Sequence, residues 1–185
     1  MSSTRNSFLE NVGRETAAHL LGKRVPWLAL GLVGGLATSV VVSRFEALLA
    51  TDIRLAFFIP VIVYLSDAVG TQTETIYVRN LAEGKIRFLQ YLTKETLVGV
   101  GLGVIFGLLL YAGALLWLHS KDIALAIGLS TLINLSVAPF LAVIIPSLLY
   151  RERTDPALGA GPLATIIQDL ASLVVYFLIA SAIVL

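Results

Sequence analysis

Apolar runs long enough to cross the roughly 30 Å hydrocarbon layer of a bilayer, at about 1.5 Å of helix per residue, limit what this chain can become. They begin near Trp27, Leu97, Ile123 and Ala157, and a fifth, interrupted by polar residues, starts at Leu55. Hydrocarbon offers backbone amides no water, so each run must close its own hydrogen bonds as a helix. The expected fold class is all-α integral membrane, with five transmembrane helices per subunit. Composition agrees: 57% of the residues are hydrophobic, only 14% are charged, and the mean hydropathy of +0.90 lies outside the soluble globular range.

The first run follows about 25 mixed, charged residues with no small-residue cleavage site behind a short apolar core, so it is expected to stay as a helix rather than leave as a signal peptide. The expected organisation is a short cytoplasmic or interfacial arm over residues 1–24 and one five-helix membrane domain over residues 25–185, without a separate soluble domain. Within residues 5–22, Phe8, Val12, Ala18, Leu20 and Leu21 gather loosely on one side, as in a short helix lying on the cytoplasmic interface, with a frayed arm as the alternative.

Orientation follows from the cations. Arg5, Arg14, Lys23 and Arg24 precede the first run, Arg79, Lys85, Arg87 and Lys94 lie between the second and third, and Arg151 and Arg153 lie between the fourth and fifth. The other loops hold Arg44, Arg54 and Lys121, so ten of the thirteen cations share one side, which the positive-inside rule makes cytoplasmic. The N-terminus is expected inside and the C-terminus outside, in a multi-pass protein of the cell membrane, most readily that of a prokaryote.

Several functions are excluded. A net charge of +1 without a basic patch gives no footing for nucleic acid. With no cysteine and only His19 and His119, disulfides, thiolate sites and histidine-rich transition-metal sites drop out. No Ser-His-Asp, zinc-ligand or Walker pattern is present, so no enzyme is expected. An intramembrane aspartyl hydrolase built on Asp67 and Asp169 is disfavoured because SDAVG and IIQDL do not approximate a Gly-x-Gly-Asp element.

What remains is polarity inside the spans. In the second run Pro60, Tyr64, Asp67, Thr71 and Glu74 are spaced 4, 3, 4 and 3, one stripe of a continuous helix, with Pro60 and Gly70 as places where it can bend or open. In the fifth, Thr165, Gln168, Asp169, Ser172 and Tyr176 follow helical spacing, and Asp169 lies about 13 residues past Pro156, roughly 20 Å along the helix. A carboxylate at that depth costs at least about 2.5 kcal/mol if it faces lipid. Asp67, Glu74 and Asp169 have no Lys or Arg deep in any span to neutralise them, which points to a mobile cation. Asp155, just before Pro156, reads as a helix N-cap, compatible with a second role at a cytoplasmic pore mouth. Asn134 offers either an oxygen to an ion or a hydrogen bond to a neighbouring helix. Glu95 reads as a solvated residue near a helix N-terminus. Pro139 and Pro146 are expected to break the later half of span four. Gly99, Gly103 and Gly107 in span three, and Gly31 with Gly35 in span one, read as packing faces for close helix approach.

Carboxylates, hydroxyls, an amide and backbone carbonyls make a hard site, suited to Mg²⁺, Mn²⁺ or Ca²⁺. Mg²⁺ sheds water reluctantly and is usually held through one or two carboxylates, so one mid-membrane Asp per subunit, doubled by a two-fold axis, suffices.

The stretch PVIVYLSDAVGTQTETIYVRNLAEGKI resembles the membrane-domain signature of MgtE-type magnesium channels and transporters, and DPALGAGPLATIIQD resembles that family's last-helix motif. KETLVGVGLGVIFGLL and NLSVAPFLAVIIP look like its third and fourth helices, so the likeness covers roughly residues 25–185. The resemblance implies a homodimer with the pore between subunits. Asp169 then matches the pore aspartate, Thr165 a backbone-carbonyl position and Asp155 the acidic residue at the cytoplasmic mouth. Ser66-Asp67 stands where the family usually has Gly-Asn, adding negative charge near the pore. The likeness does not extend to the family's cytosolic superhelical and CBS domains, so their Mg²⁺-sensing closure is not carried over. The implied function is a divalent cation channel or transporter, Mg²⁺ foremost, with a proton- or sodium-coupled carrier for Mn²⁺ or Ca²⁺, or a membrane scaffold subunit, as alternatives.

Overall fold

The computed structural model describes residues 16–82, 87–151 and 156–185. Among them run α1 (Ala17–Ser43), α2 (Glu46–Thr51), a 3-10 segment (Ile53–Phe58), α3 (Ile59–Ala82), α4 (Phe88–Leu118), α5 (Lys121–Arg151) and α6 (Pro156–Val184). Five stretches in the described residues are long and apolar enough to cross a membrane: Ala17–Ser43, Ile53–Leu81, Phe88–Leu118, Lys121–Leu149 and Leu163–Val184. The chain is a multi-pass, all-helical membrane protein, as the apolar runs require.

Helix α1 starts earlier than the apolar run suggests. The Thr16 hydroxyl oxygen accepts from His19 N at 3.4 Å, and the helix continues through Pro26 without interruption. Residues 17–22, expected in a separate interfacial helix, are therefore its first turns; residues 5–15 of that expectation lie outside the described residues.

Between α1 and α3 the chain is tied down at one end of the bundle. The Asp52 carboxylate caps the 3-10 segment by accepting from Arg54 N at 3.0 Å and also receives the Arg54 side chain, Nε at 2.9 Å and Nη2 at 2.5 Å. That side-chain hydrogen bonding holds the Asp52 carboxyl below the usual carboxylate range. Arg54 Nη1 also donates to Leu118 O at 3.0 Å, satisfying a carbonyl that the end of α4 leaves open. His119, left-handed at φ 53°, closes α4 through its N–H to Leu115 O. The main apolar core lies at this Arg54 end, where Leu55, Phe58, Ile62, Ile127, Tyr176 and Phe177 are buried. The Tyr176 hydroxyl donates to Leu55 O at 2.7 Å, and Phe45 stacks on Phe177 with centroids 4.6 Å apart.

Helices α4 and α5 form the closest pair. A Cβ on Gly99, Gly103 or Gly107 would sit 2.5, 2.6 and 2.8 Å from the carbonyl oxygens of Leu135, Leu132 and Gly128. Those glycines form the packing face that their spacing indicates. Span one departs from expectation: Gly31 and Gly35 face open space, and Gly34 makes the contact, where a Cβ would lie 2.5 Å from the Ile166 side chain of α6. Spacing identified a small face, but the neighbour touches the helix one residue around from it.

The prolines do not break α5, which runs unbroken through Pro139 and Pro146. Pro139 has no N–H for Leu135 O, and that freed carbonyl is the one pressed against Gly99 of α4. A neighbouring helix thus lies over the gap, at a glycine. Helix α3 is likewise continuous through Gly70, with Pro60 in its first turn where no donor is needed.

Candidate functional site

Helices α1, α3 and α6 enclose an open groove of about 490 Å³. Asp67 and Thr165 line it, with Asp169 on the same wall as Thr165. Thr38 and Ser39 from α1 and Pro60 and Tyr64 from α3 complete its polar and apolar rim. Asp67 is the midpoint of the Ile53–Leu81 span, and Asp169 sits beside the midpoint of α6. Both carboxylates are half-buried, Tyr64 and Thr165 are exposed, and among the described residues neither acid pairs with a Lys or Arg side chain.

The helices deliver these side chains by simple periodicity. Asp67 shares its face with Pro60, Tyr64, Thr71 and Glu74, so the expected stripe exists, and it borders the groove rather than the bundle interior. Glu74 continues the stripe two turns from Asp67 toward Arg79, half-buried and beyond the groove lining. On α6 the single expected stripe divides: Thr165 and Asp169 face the groove, while Gln168, Ser172 and Tyr176 turn inward and are buried. The α1 hydroxyls on the groove rim are held locally, Thr38 Oγ1 donating to Gly34 O at 3.0 Å and Ser39 Oγ to Gly35 O at 3.1 Å.

Behind the groove lies a buried polar layer. Gln168 Nε2 donates to the Ser66 carbonyl, Ser172 Oγ donates to Ser66 Oγ at 2.8 Å, and Asn134 Nδ2 donates to Ser172 O at 3.1 Å. Asn134 is thus 3% exposed and spent on tying α5 to α6, away from the two acids. Among the described residues every buried side-chain nitrogen and oxygen has a partner.

Glu95 departs from its expected solvated role. It is half-buried and accepts from Thr73 Oγ1 at 3.2 Å, while Tyr91 donates to Thr73 O at 3.4 Å and Tyr77 shares a 2.7 Å hydrogen bond with Ser147. This second layer links α3 to α4 and α5 nearer Arg79. A row at Ser66, Thr73 and Tyr77, spaced seven and four on a separate, inward face of α3, was the available signal. Asp155 lies outside the described residues.

Among the described residues no three His, Asp or Glu side chains come together as one metal cage. One chain therefore presents two acids and four hydroxyl side chains around an open groove, a donor set fit for a partly hydrated hard cation.

Comparison with known proteins gives the same direction. The MgtE family, described as "Divalent cation transporter", matches residues 59–179. The magnesium transporter MgtE of Enterococcus faecalis is 34% identical over 162 residues, covering 86% of this chain and 36% of that protein. The magnesium transporter MgtE of Bacillus subtilis is 29% identical over 163 residues, with coverage of 86% and 36%. That of Thermus thermophilus is 30% identical over 160 residues, covering 85% of this chain and 35% of the relative. The chain therefore spans about a third of the length of these relatives.

Proposed function

The chain belongs to the MgtE family of divalent cation transporters, and on that premise we propose that it passes hydrated Mg²⁺ across the membrane along the Asp67–Asp169 groove. Mn²⁺ and Ca²⁺ are the competing cargoes. The carrying observation is the pair of half-buried carboxylates within the spans, neither paired with a Lys or Arg side chain among the described residues, on a wall that opens sideways. Two charges cannot be left to lipid at that depth without a penalty of about 2.5 kcal/mol or more each. A second copy related by a two-fold axis supplies the facing wall and doubles the acids, which makes the protein a homodimer with its pore at the subunit interface.

In this reading Asp169 is the principal ligand field and Asp67 a second charge that replaces the amide usual in the family. Thr165, one turn before Asp169, offers its carbonyl. Glu74 and Asp155 attract cations toward the Arg79 end, which faces the cytoplasm. Binding through a few carboxylates and retained waters stays weak enough for release, as conduction requires. Asn134 acts as a helix tie.

The test is uptake into proteoliposomes made with the full chain. Asp169→Asn keeps the shape of the side chain and removes its charge, so Mg²⁺ flux should fall at least about tenfold while the melting temperature in detergent holds. Normal flux through Asp169→Asn overturns the assignment.

A further inference from the structure

Ser66 immediately precedes Asp67, and Gln168 immediately precedes Asp169. The two leading residues face inward, 2% exposed each, and touch one another across α3 and α6. The two acids that follow face the groove. A contact between inner residues therefore fixes how far apart the outer ones stand.

Three observations make this contact more than packing. Gln168 Nε2 donates to the Ser66 backbone carbonyl and also approaches Ser66 Oγ at 3.5 Å, so one amide grips both acceptors of a single residue. Ser172, one turn along α6, donates to the same Ser66 hydroxyl at 2.8 Å, and Asn134 of α5 holds the carbonyl of Ser172 at 3.1 Å. Gly70 makes room: a Cβ there would collide with Oε1, Nε2 and Cδ of Gln168, so only a residue without a side chain lets the amide reach the carbonyl one turn back.

We propose that Gln168 is a positioning residue for the acidic groove, bolting Ser66 of α3 to α6 so that Asp67 and Asp169 are held at one separation for the passing cation. The proposal rests on the groove being the ion path. It predicts a loss of affinity rather than of the fold, since partners behind metal-binding groups typically change affinity by about 10- to 100-fold when removed.

Two variants reach the bolt from opposite sides. Gln168→Met keeps the length of the side chain without its donor. Gly70→Ala pushes the amide off the carbonyl, and the displaced atoms are the movable end of a side chain rather than backbone. The chain has no cysteine, so Tyr64→Cys and Thr165→Cys, on the two walls of the groove, can carry spin labels without background. Pulsed electron resonance on labelled chains diluted with unlabelled ones then reads the separation of α3 and α6. Unlabelled chains in proteoliposomes give Mg²⁺ flux against concentration.

Either variant should broaden or shift the 64–165 distance distribution and raise the half-saturating Mg²⁺ about tenfold, with a smaller change in maximal flux. An unmoved distribution, or an unmoved half-saturation, overturns the positioning role. Asp169→Asn in the same assay separates the two failures: normal flux there overturns the ion path, whereas a distance unchanged by Gln168→Met overturns the bolt whatever Asp169→Asn does.

Discussion

Two sides of this bundle use glycine for opposite purposes. On the α4–α5 side Gly99, Gly103 and Gly107 remove side chains so that one backbone can rest on another, and the seam is apolar, with a shallow groove of about 220 Å³ along Gly103 and Gly107. On the α3–α6 side Gly70 removes a side chain so that a polar one can enter, and the seam holds a hydrogen-bonded amide. The first arrangement gives rigidity. The second gives alignment of charges beside an open groove. A small residue in a membrane helix therefore marks a close approach, and only the identity of the approaching group tells whether the approach serves packing or position.

The largest effect should separate the sides outright. Asp169→Asn should remove at least about nine-tenths of Mg²⁺ flux with stability preserved, and Gly103→Val should do the reverse. A Cβ at Gly103 already lies 2.6 Å from Leu132 O, and overpacking of this kind typically costs about 1–3 kcal/mol. Thermal melting in detergent of both variants, set beside their flux per amount of folded protein, checks the contrast; a stable Gly103→Val protein would break it.

A smaller effect sharpens it on the groove side. Asp67→Asn restores the amide usual in the family, so flux should persist while the preference among Mg²⁺, Mn²⁺ and Ca²⁺ changes, on the order of several-fold. Competition uptake with the three ions measures this, and an unchanged ranking would take Asp67 out of the path.

Much of this was legible in the sequence, and the residues show where it stopped. Five spans followed from apolar runs, because hydrocarbon leaves a backbone little choice. Depth without cations singled out Asp67, Glu74 and Asp169, of which Asp67 and Asp169 line one groove and Glu74 lies beyond it. What failed was the direction of faces. Periodicity placed Thr165, Gln168, Asp169, Ser172 and Tyr176 together, yet a stripe that wide meets two environments, and only the position of α3 decides where it splits. For the same reason Gly34 rather than Gly31 or Gly35 meets α6. Glu95 looked solvated because its partner, Thr73, is 22 residues away on another helix. Pro139 looked like a break because the carbonyl it frees lies against Gly99 of α4, which no local pattern reveals.

Two modest outcomes bound the comparison from below. Gly31→Ala has open space around the new methyl and, by helix propensity, should raise stability by up to about 1 kcal/mol; a drop in melting temperature would mean that a second copy packs there. At the Arg54 end, Asp52 has a depressed folded-state carboxyl, so its contribution to stability is present above its ordinary value of about 4 and disappears as pH falls through the lower folded one. The difference in melting temperature between the parent and Asp52→Asn should therefore be seen at neutral pH and vanish in acid. A difference that stays constant with pH would assign the effect to shape rather than charge.

The order of the helices around the groove also has a consequence for biogenesis. Helices α4 and α5 are consecutive and joined by His119 and Ser120 alone, so this hairpin can close as soon as it is synthesised. The groove takes its walls from α1, α3 and α6, the first, second and fifth of the spans among the described residues. Asp67 must therefore wait in the translocon or the bilayer, its charge unsheltered, until α6 has been made. Chaperoning of an unfinished membrane protein, or retention near water until α6 arrives, is a demand that this topology places on the cell before any ion is moved.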